Sequence, residues 1–355
     1  MAIKYMTLVT ELRTDIRMGV YRQTGRLPTE MQLAQMYHVS RQTVRRALSI
    51  LSEEGLIERR QGSGSRVVDS PALWAGNNVA VVASFVDDYI FPSLLHYVQG
   101  VLEQHNFSTL VYSTQNQLNR EREILQQLIE NPVRGLLVEG VKTALPNPNL
   151  DLYHQIQQMG IPIVFFHSGY PELNTVCISD DNEGGGYLAA EYLMERGHSR
   201  IAGIFKNDDL QGLQRYHGFF SALRDRGLPY PEQDIFWFSS EQREQMMEKG
   251  KSNCLRSFAR TVCKQCSAVI CHNDEVAHSL IHVLQDEGIK VPKGVAVLSF
   301  DNTYYSDIGP VPITSLSHQP GGVGELAAKS LVELIMGREA SSQTVAWTLV
   351  EKKST

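Results

Sequence analysis

The chain has 355 residues, 33 basic and 39 acidic side chains, 42% hydrophobic residues and a net charge of −6, the size and balance of a globular protein of two or three domains. Its longest apolar run near a strand pattern, Val79 to Val86, falls far short of the ~20 residues a membrane-spanning helix needs. Lys4, Glu11, Arg13 and Asp15 interrupt the N-terminus where a secretory signal would be apolar. These features predict a cytoplasmic protein, and five cysteines, an odd number with four between Cys254 and Cys271, predict no disulfide framework.

The charge divides unevenly along the chain. Residues 1–70 hold eleven Lys or Arg against seven Asp or Glu, whereas residues 71–355 hold 22 against 32. A module of net +4 therefore precedes a body of net −10, an asymmetry that points to a nucleic-acid-binding end. Proline and small polar residues near Asp69, Ser70 and Pro71, with Gly76, Asn77 and Asn78 just beyond, interrupt both periodicities. The expected division is a head at 1–68, a linker at 69–78 and a body at 79–355.

In the head, Val9, Leu12 and Ile16 recur at helical spacing and predict a first helix that ends near Gly19. Thr29 with Gln32 three residues on has the form of a capping box for a second helix carrying Leu33, Ala34 and Tyr37. It stops by His38, and Ser40 is placed to cap a third helix with the stripe Val44, Leu48 and Leu51. Two short helices joined by so tight a turn predict a helix-turn-helix. At about 100° per residue, Gln42, Arg46 and Ser49 face away from that stripe, with Arg45 on its flank and Arg41 at the rim. Arginine can bond guanine bidentately and glutamine adenine, while the hydroxyls of Ser40 and Thr43 and the helix-start amides suit phosphate. Leu56 to Arg60 and Ser65 to Val68 then predict two strands around the glycine-containing tip Gln61-Gly62-Ser63-Gly64, a hairpin flanked by Arg59, Arg60 and Arg66.

The segments Arg26-Leu27-Pro28-Thr29-Glu30, Val39 through Leu48, Glu54-Gly55-Leu56 and Gln61 through Ser65 together resemble the winged-helix domain of GntR-type transcription regulators. The resemblance implies DNA binding by a dimer, with Arg41, Thr43 and Arg45 of the recognition helix, Glu30 of the preceding helix, and Gln61 and Gly62 of the wing at the duplex. Ser65 stands where that family's wing often has threonine, a change that keeps the hydroxyl.

From residue 79, short β-rich runs alternate with helical stretches. Val79–Phe85, Thr109–Tyr112, Gly135–Val138, Ile163–Phe166, Ile201–Ile204, Ala268–Ile270 and Val295–Ser299 read as strands. Leu94–Glu103, Arg120–Ile129, Leu152–Met159, Asn182–Arg196, Leu213–Arg226 and Val276–Gln285 read as helices. The predicted class is α/β, with two doubly wound parallel-sheet subdomains behind the winged helix. Ligands of such sheets lie outside the carboxyl ends of the strands. The residues there include Asp88, Tyr89 and Phe91, then Glu139, His167, Lys206, Asp208 and Gln211, with Arg215 on the following helix, and Asn273, Asp274 and Asp301. Carboxylates, amides and cations that can pair neighbouring hydroxyls, next to rings that can cover C–H faces, suit a sugar.

Asp181 through Ala190, Arg196 through Ala202, Arg215 through Phe219, Asn273 through Ala277, Gly288 through Pro292 and Phe300-Asp301-Asn302 resemble the effector domain of LacI/GalR regulators and of periplasmic sugar-binding proteins. That resemblance spans about residues 79–350 and implies sugar contacts from Arg215, from Asn273 or Asp274, and from Asp301. A GntR-type head on a LacI-type body, with Asp88 through Pro92 and Phe205 through Gly212, is similar to the arabinose-responsive repressors. This implies a homodimeric repressor on double-stranded operator DNA, with L-arabinose as effector.

Other signals carry less. Cys263-Lys264-Gln265-Cys266 and Cys271-His272 have no second pair at zinc spacing, Gly184-Gly185-Gly186 follows no strand and suggests close backbone packing at a helix start, and no nucleophile motif accompanies the histidines. The expectation is no metal, no cofactor and no catalysis. The competing expectation is a carbohydrate-active enzyme or transport receptor whose head is incidental.

Overall fold

The computed structural model describes residues 2–17, 20–21, 24–60, 64–68, 76–86, 90–247, 253–319 and 321–355. In the head, α1 (Ala2–Arg17), α2 (Glu30–Met36) and α3 (Arg41–Glu53) precede an antiparallel hairpin, β1 (Ile57–Arg60) and β2 (Gly64–Val67). The capping box is formed, with Gln32 N donating to Thr29 Oγ1 at 3.3 Å and Thr29 N to Gln32 Oε1 at 2.9 Å. The tight turn before α3 places His38 at φ +52°, a left-handed turn that non-glycine residues seldom take. Leu12, Ile16, Leu33, Val44, Leu48 and Leu51 meet in one buried cluster with Ile57 and Val67, so the three stripes and the hairpin close on one another. The linker expected at 69–78 has residues 69–75 outside the described residues, and Asn78 already opens a strand.

The body starts with β3 (Asn78–Ala83), α4 (Phe91–Gln104), β4 (Ser108–Ser113), α5 (Leu118–Glu130), β5 (Gly135–Val138), α6 (Leu150–Gln158), β6 (Ile163–Phe166) and β7 (Val176–Asp180). It continues with α7 (Asn182–Glu195), β8 (Ile201–Lys206), α8 (Leu210–Asp225), β9 (Ile235–Phe238), α9 (Ser240–Met247), α10 (Asn253–Thr261), β10 (Ala268–Cys271), α11 (Asp274–Asp286), β11 (Ala296–Asp301) and β12 (Thr314–Ser317). Last come α12 (Gly322–Ile335), β13 (Gln343–Val345) and β14 (Thr348–Val350). One sheet has the order β4-β3-β5-β6-β7-β13 and is parallel throughout. The other, β9-β8-β10-β11-β12-β14, is parallel except for β14, which runs against β12. Helices cover both faces of each sheet, and each sheet has two apolar clusters, one per face.

The chain passes between the two halves three times. It leaves the first sheet after β7 to form α7, returns after β12 to lay α12 against α4 and β5 to β7, and crosses again between β13 and β14. The glycine run marks the first of these crossings and, contrary to the sequence expectation, comes just after a strand, β7. A Cβ on Gly186 would stand 2.0 Å from the Arg215 carbonyl oxygen, and one on Gly218 would stand 1.8 Å from that of Glu183. Only glycine lets α7 and α8 approach so closely, and this contact fixes where Arg215 projects.

Candidate functional site: a cleft between the two halves and a basic head

In each sheet the strand order reverses beside its first strand, between β3 and β5 and between β8 and β10, and there the helices diverge and leave a crevice. The two crevices face one another around a cavity of about 110 Å³. The first half contributes Ser84, Phe85, Phe91, Glu139 and His167. The second contributes Lys206, Asp209, Gln211 and Arg215, then Arg243, His272, Asn273 and Asp301, with His318 from the second crossing.

Nearly every charge here is paired. Burial raises the Glu139 carboxyl pKa, but the His167 ring at 3.2 Å and the Ser84 amide at 2.7 Å hold it below the usual value. Lys206 is buried and pairs with Asp209, with Asp208 at 3.7 Å. Burial opposes its charge, and the two carboxylates outweigh that and keep it protonated. Arg215 is 3% exposed. Its Nε donates to Asn182 Oδ1 at 3.0 Å, its Nη1 to the His272 carbonyl, and its Nη2 to Asp301 at 3.4 Å. The guanidinium lies 4.3 Å from the Phe300 ring centroid and 5.1 Å from that of Trp347, a cation–π seat that fixes its plane. His318 bridges the halves, with Nδ1 3.0 Å from Asp180 of β7 and Nε2 3.3 Å from Asp301 of β11. His272 Nδ1 is buried with no hydrogen-bond partner among the described residues, and burial next to Arg215 and Lys206 keeps the ring neutral. A buried polar atom left unpaired in a cavity wall is costly unless a ligand satisfies it.

On the side away from the crossings, the halves touch directly. Asn116 Nδ2 donates to Ser240 Oγ at 2.6 Å and reaches Asp209 at 3.4 Å. The Leu210 amide donates to Thr143 Oγ1 at 3.1 Å, the Ala144 amide to the Asp208 carbonyl at 3.2 Å, and Lys142 pairs with Glu241. The cleft thus lies between a hinge of three crossings and a latch of polar contacts.

Of the effector residues expected from the sequence, Phe91, Glu139, His167, Lys206, Gln211, Arg215, Asn273 and Asp301 all line the cavity. Asp88 and Tyr89 fall outside the described residues. Asp208 and Asp274 do not line it. Asp208 accepts the Ser240 amide at 2.8 Å. Asp274 is spent on the Thr303 amide at 2.6 Å and Ser315 Oγ at 2.7 Å, and burial beside Asp301 raises its pKa to about 6. His272 and Asp209 lie just past the predicted strands Ala268–Ile270 and Ile201–Ile204, whereas Arg243 and His318 follow β9 and β12, two strands absent from the sequence prediction.

In the head, Ser40 caps α3 by accepting the Thr43 amide at 3.1 Å. Arg41, Gln42, Arg45 and Arg46 are exposed along one side, opposite buried Val44, Leu48 and Leu51. Glu30 holds Arg45 at 2.8 Å and Arg59 of the hairpin at 3.4 Å, presenting two cations together. Gln61 and Gly62 at the wing tip lie outside the described residues.

A winged helix-turn-helix joined to two doubly wound halves around a polar, charge-paired cleft defines the class of ligand-controlled DNA-binding regulators. Residues 4–67 match the model for bacterial regulatory proteins of the gntR family, and residues 190–355 match the periplasmic binding protein-like domain. The chain is 32% identical to the arabinose metabolism transcriptional repressor of Halalkalibacterium halodurans, over 94% of this chain and 90% of that one. It is also 32% identical to that of Geobacillus stearothermophilus, over 94% and 92%. The chain belongs to the family of GntR-headed transcriptional repressors with a periplasmic-binding-protein-like body that includes these two. The solved structure of the transcriptional regulator CelR–cellobiose complex superposes with a TM-score of 0.69 at 22% identity, over 93% of this chain and 100% of that one, which shows the shared fold. Among the described residues no helix is long and apolar enough to cross a membrane.

Proposed function

We propose that this protein represses transcription from the cytoplasm as a dimer on operator DNA and is released by L-arabinose, with no catalytic step. The head at 1–68 reads the duplex, the body at 79–355 senses the sugar and dimerises, and the segment 69–78 joins them. Ser40 and Thr43 meet phosphate, Arg41, Gln42 and Arg45 meet bases, and Glu30 orients Arg45. The observation that carries the effector reading is the cleft itself. Its Glu139, Lys206, Arg215, Asn273 and Asp301 side chains sit in a small cavity beside Phe85 and Phe91, donors and acceptors for adjacent hydroxyls with rings for C–H faces. The 32% identity to two arabinose metabolism repressors over almost the whole chain supports a pentose over other polyols.

The sugar satisfies the orphaned His272 nitrogen and bridges the halves, so it binds the closed body more tightly than the open one. Only that differential affinity can move the heads off the operator. Footprinting on the DNA upstream of the protein's own gene should show protected half-sites about one helical turn, ~34 Å, or more apart, with protection lost on adding L-arabinose. Protection indifferent to every pentose and hexose would overturn the effector reading, and steady conversion of any sugar would overturn the regulator reading.

A further inference from the structure

The cavity that holds the charged groups does not end at His318. A second cavity of about 340 Å³ adjoins it and shares Ile90, Leu94, His167, Asp301 and His318 with it as a common wall. Beyond that wall the lining changes character. Ser93 and Tyr97 come from α4, Thr303 and Ser317 from the second half, and Gln319 and Gly322 from the crossing into α12. Among the described residues this lining contains no lysine or arginine, and the Glu325 carboxylate lies against Gly321 at the start of α12. The two histidines of the shared wall, His167 and His318, already face Glu139, Asp180 and Asp301, so among the described residues a phosphate or carboxylate would find no unpaired side-chain cation in this lining. Hydroxyls, the two amides of Asn302 and Gln319 and one phenol ring are the groups that a neutral polyol uses.

On the latch side Asn116, Lys142 and Thr143 bind across to Ser240, Glu241 and Leu210, whereas past His318 the adjoining cavity gives a ligand that outgrows the inner one room to extend. We infer that the effector site has two subsites, an inner one for a monosaccharide ring and an outer one, on Tyr97 and Ser93, for a second sugar unit joined to it, so that the protein also takes a neutral disaccharide. The inference rests on the sugar reading above and extends it from a single pentose to its glycosides.

The test is calorimetric titration of the full-length protein with L-arabinose and with L-arabinobiose, repeated on Tyr97→Ala and Ser93→Trp, two positions that line only the outer cavity. The wild type should bind both sugars. Both variants should bind L-arabinose within about twofold of wild type and lose tenfold or more for L-arabinobiose. Exclusion of the disaccharide by a wild type that binds the monosaccharide overturns the outer subsite, as does disaccharide binding that neither variant changes. If L-arabinose itself does not bind, the arabinose reading fails and the same comparison runs on xylose with xylobiose and glucose with cellobiose. A bound disaccharide sensitive to both variants then upholds the second subsite, and failure of all three pairs overturns it.

Discussion

His318 touches a carboxylate from each half of the body, Asp180 at 3.0 Å and Asp301 at 3.3 Å. Burial alone would lower its pKa, and the two carboxylates instead carry it from the ordinary 6.5 up to about 10. The folded value lies above the unfolded one, so this contribution to stability is complete below pH 6.5 and is lost as pH rises toward 10. The melting temperature of the wild type should therefore exceed that of His318→Gln at pH 6, with the gap closing across that window. A gap that stays constant with pH would show that the ring acts only by packing. In the head the corresponding residue is Arg45, whose side chain is 63% exposed and steered by Glu30. Arg45→Ala should cost the operator about 1–3 kcal/mol of discrimination against a changed base, read as lost sequence preference in competition footprinting. Calorimetric sugar affinity should be unchanged in the same protein.

At the scale of elements, the latch makes closure a property of loops that never touch the cavity centre. Lys142 and Glu241 pair across the mouth, and the lysine holds the Glu241 carboxyl down to about 2. Lys142→Glu should shift the body toward its open form and weaken L-arabinose binding by the fraction of closed protein lost, up to about fivefold for a pair with one exposed partner. Adding Glu241→Lys should restore the affinity, and a double variant as weak as the single one would sink the latch. The sequence made the amphipathic helices and the β-branched central strands legible, because their periodicity and their burial agree. Strands such as Ile163–Phe166 and Ala268–Cys271 are apolar throughout and buried on both faces. The strand Thr314–Ser317 reads Thr-Ser-Leu-Ser, polar by composition, yet Thr314 and Ser315 are fully buried because their hydroxyls bond to Thr355 and Asp274. Missing that strand also hid His318 just beyond its end. The helix α12 opens on Gly322-Val323-Gly324 behind the left-handed N-cap Gly321, a run that looks like a turn and is held helical by packing on α4. Asp208 and Asp274 show the converse limit. Sequence places a carboxylate at a strand end, and only packing decides that a neighbouring amide has already claimed it.

For the whole molecule, the division of charge sets two kinds of partner apart. The head meets a polyanion through exposed arginines, whereas the cleft offers charges that are already paired within the protein. Raising salt should therefore weaken operator binding with a log–log slope of about −0.9 per phosphate contacted, while the affinity for a neutral sugar stays nearly flat. Equal salt sensitivity of the two would mean that the cleft charges are not paired as described. The three crossings between the halves also carry a mechanical consequence. A single strand of chain would act as a swivel and two would still permit twisting, but three side-by-side links, pinned at Asp181 to Val345 by a 2.8 Å hydrogen bond, leave bending about one axis as the soft motion. The body then behaves as a door rather than a ball joint. Whatever fills the cleft, large or small, can report to the head only how far that door has swung.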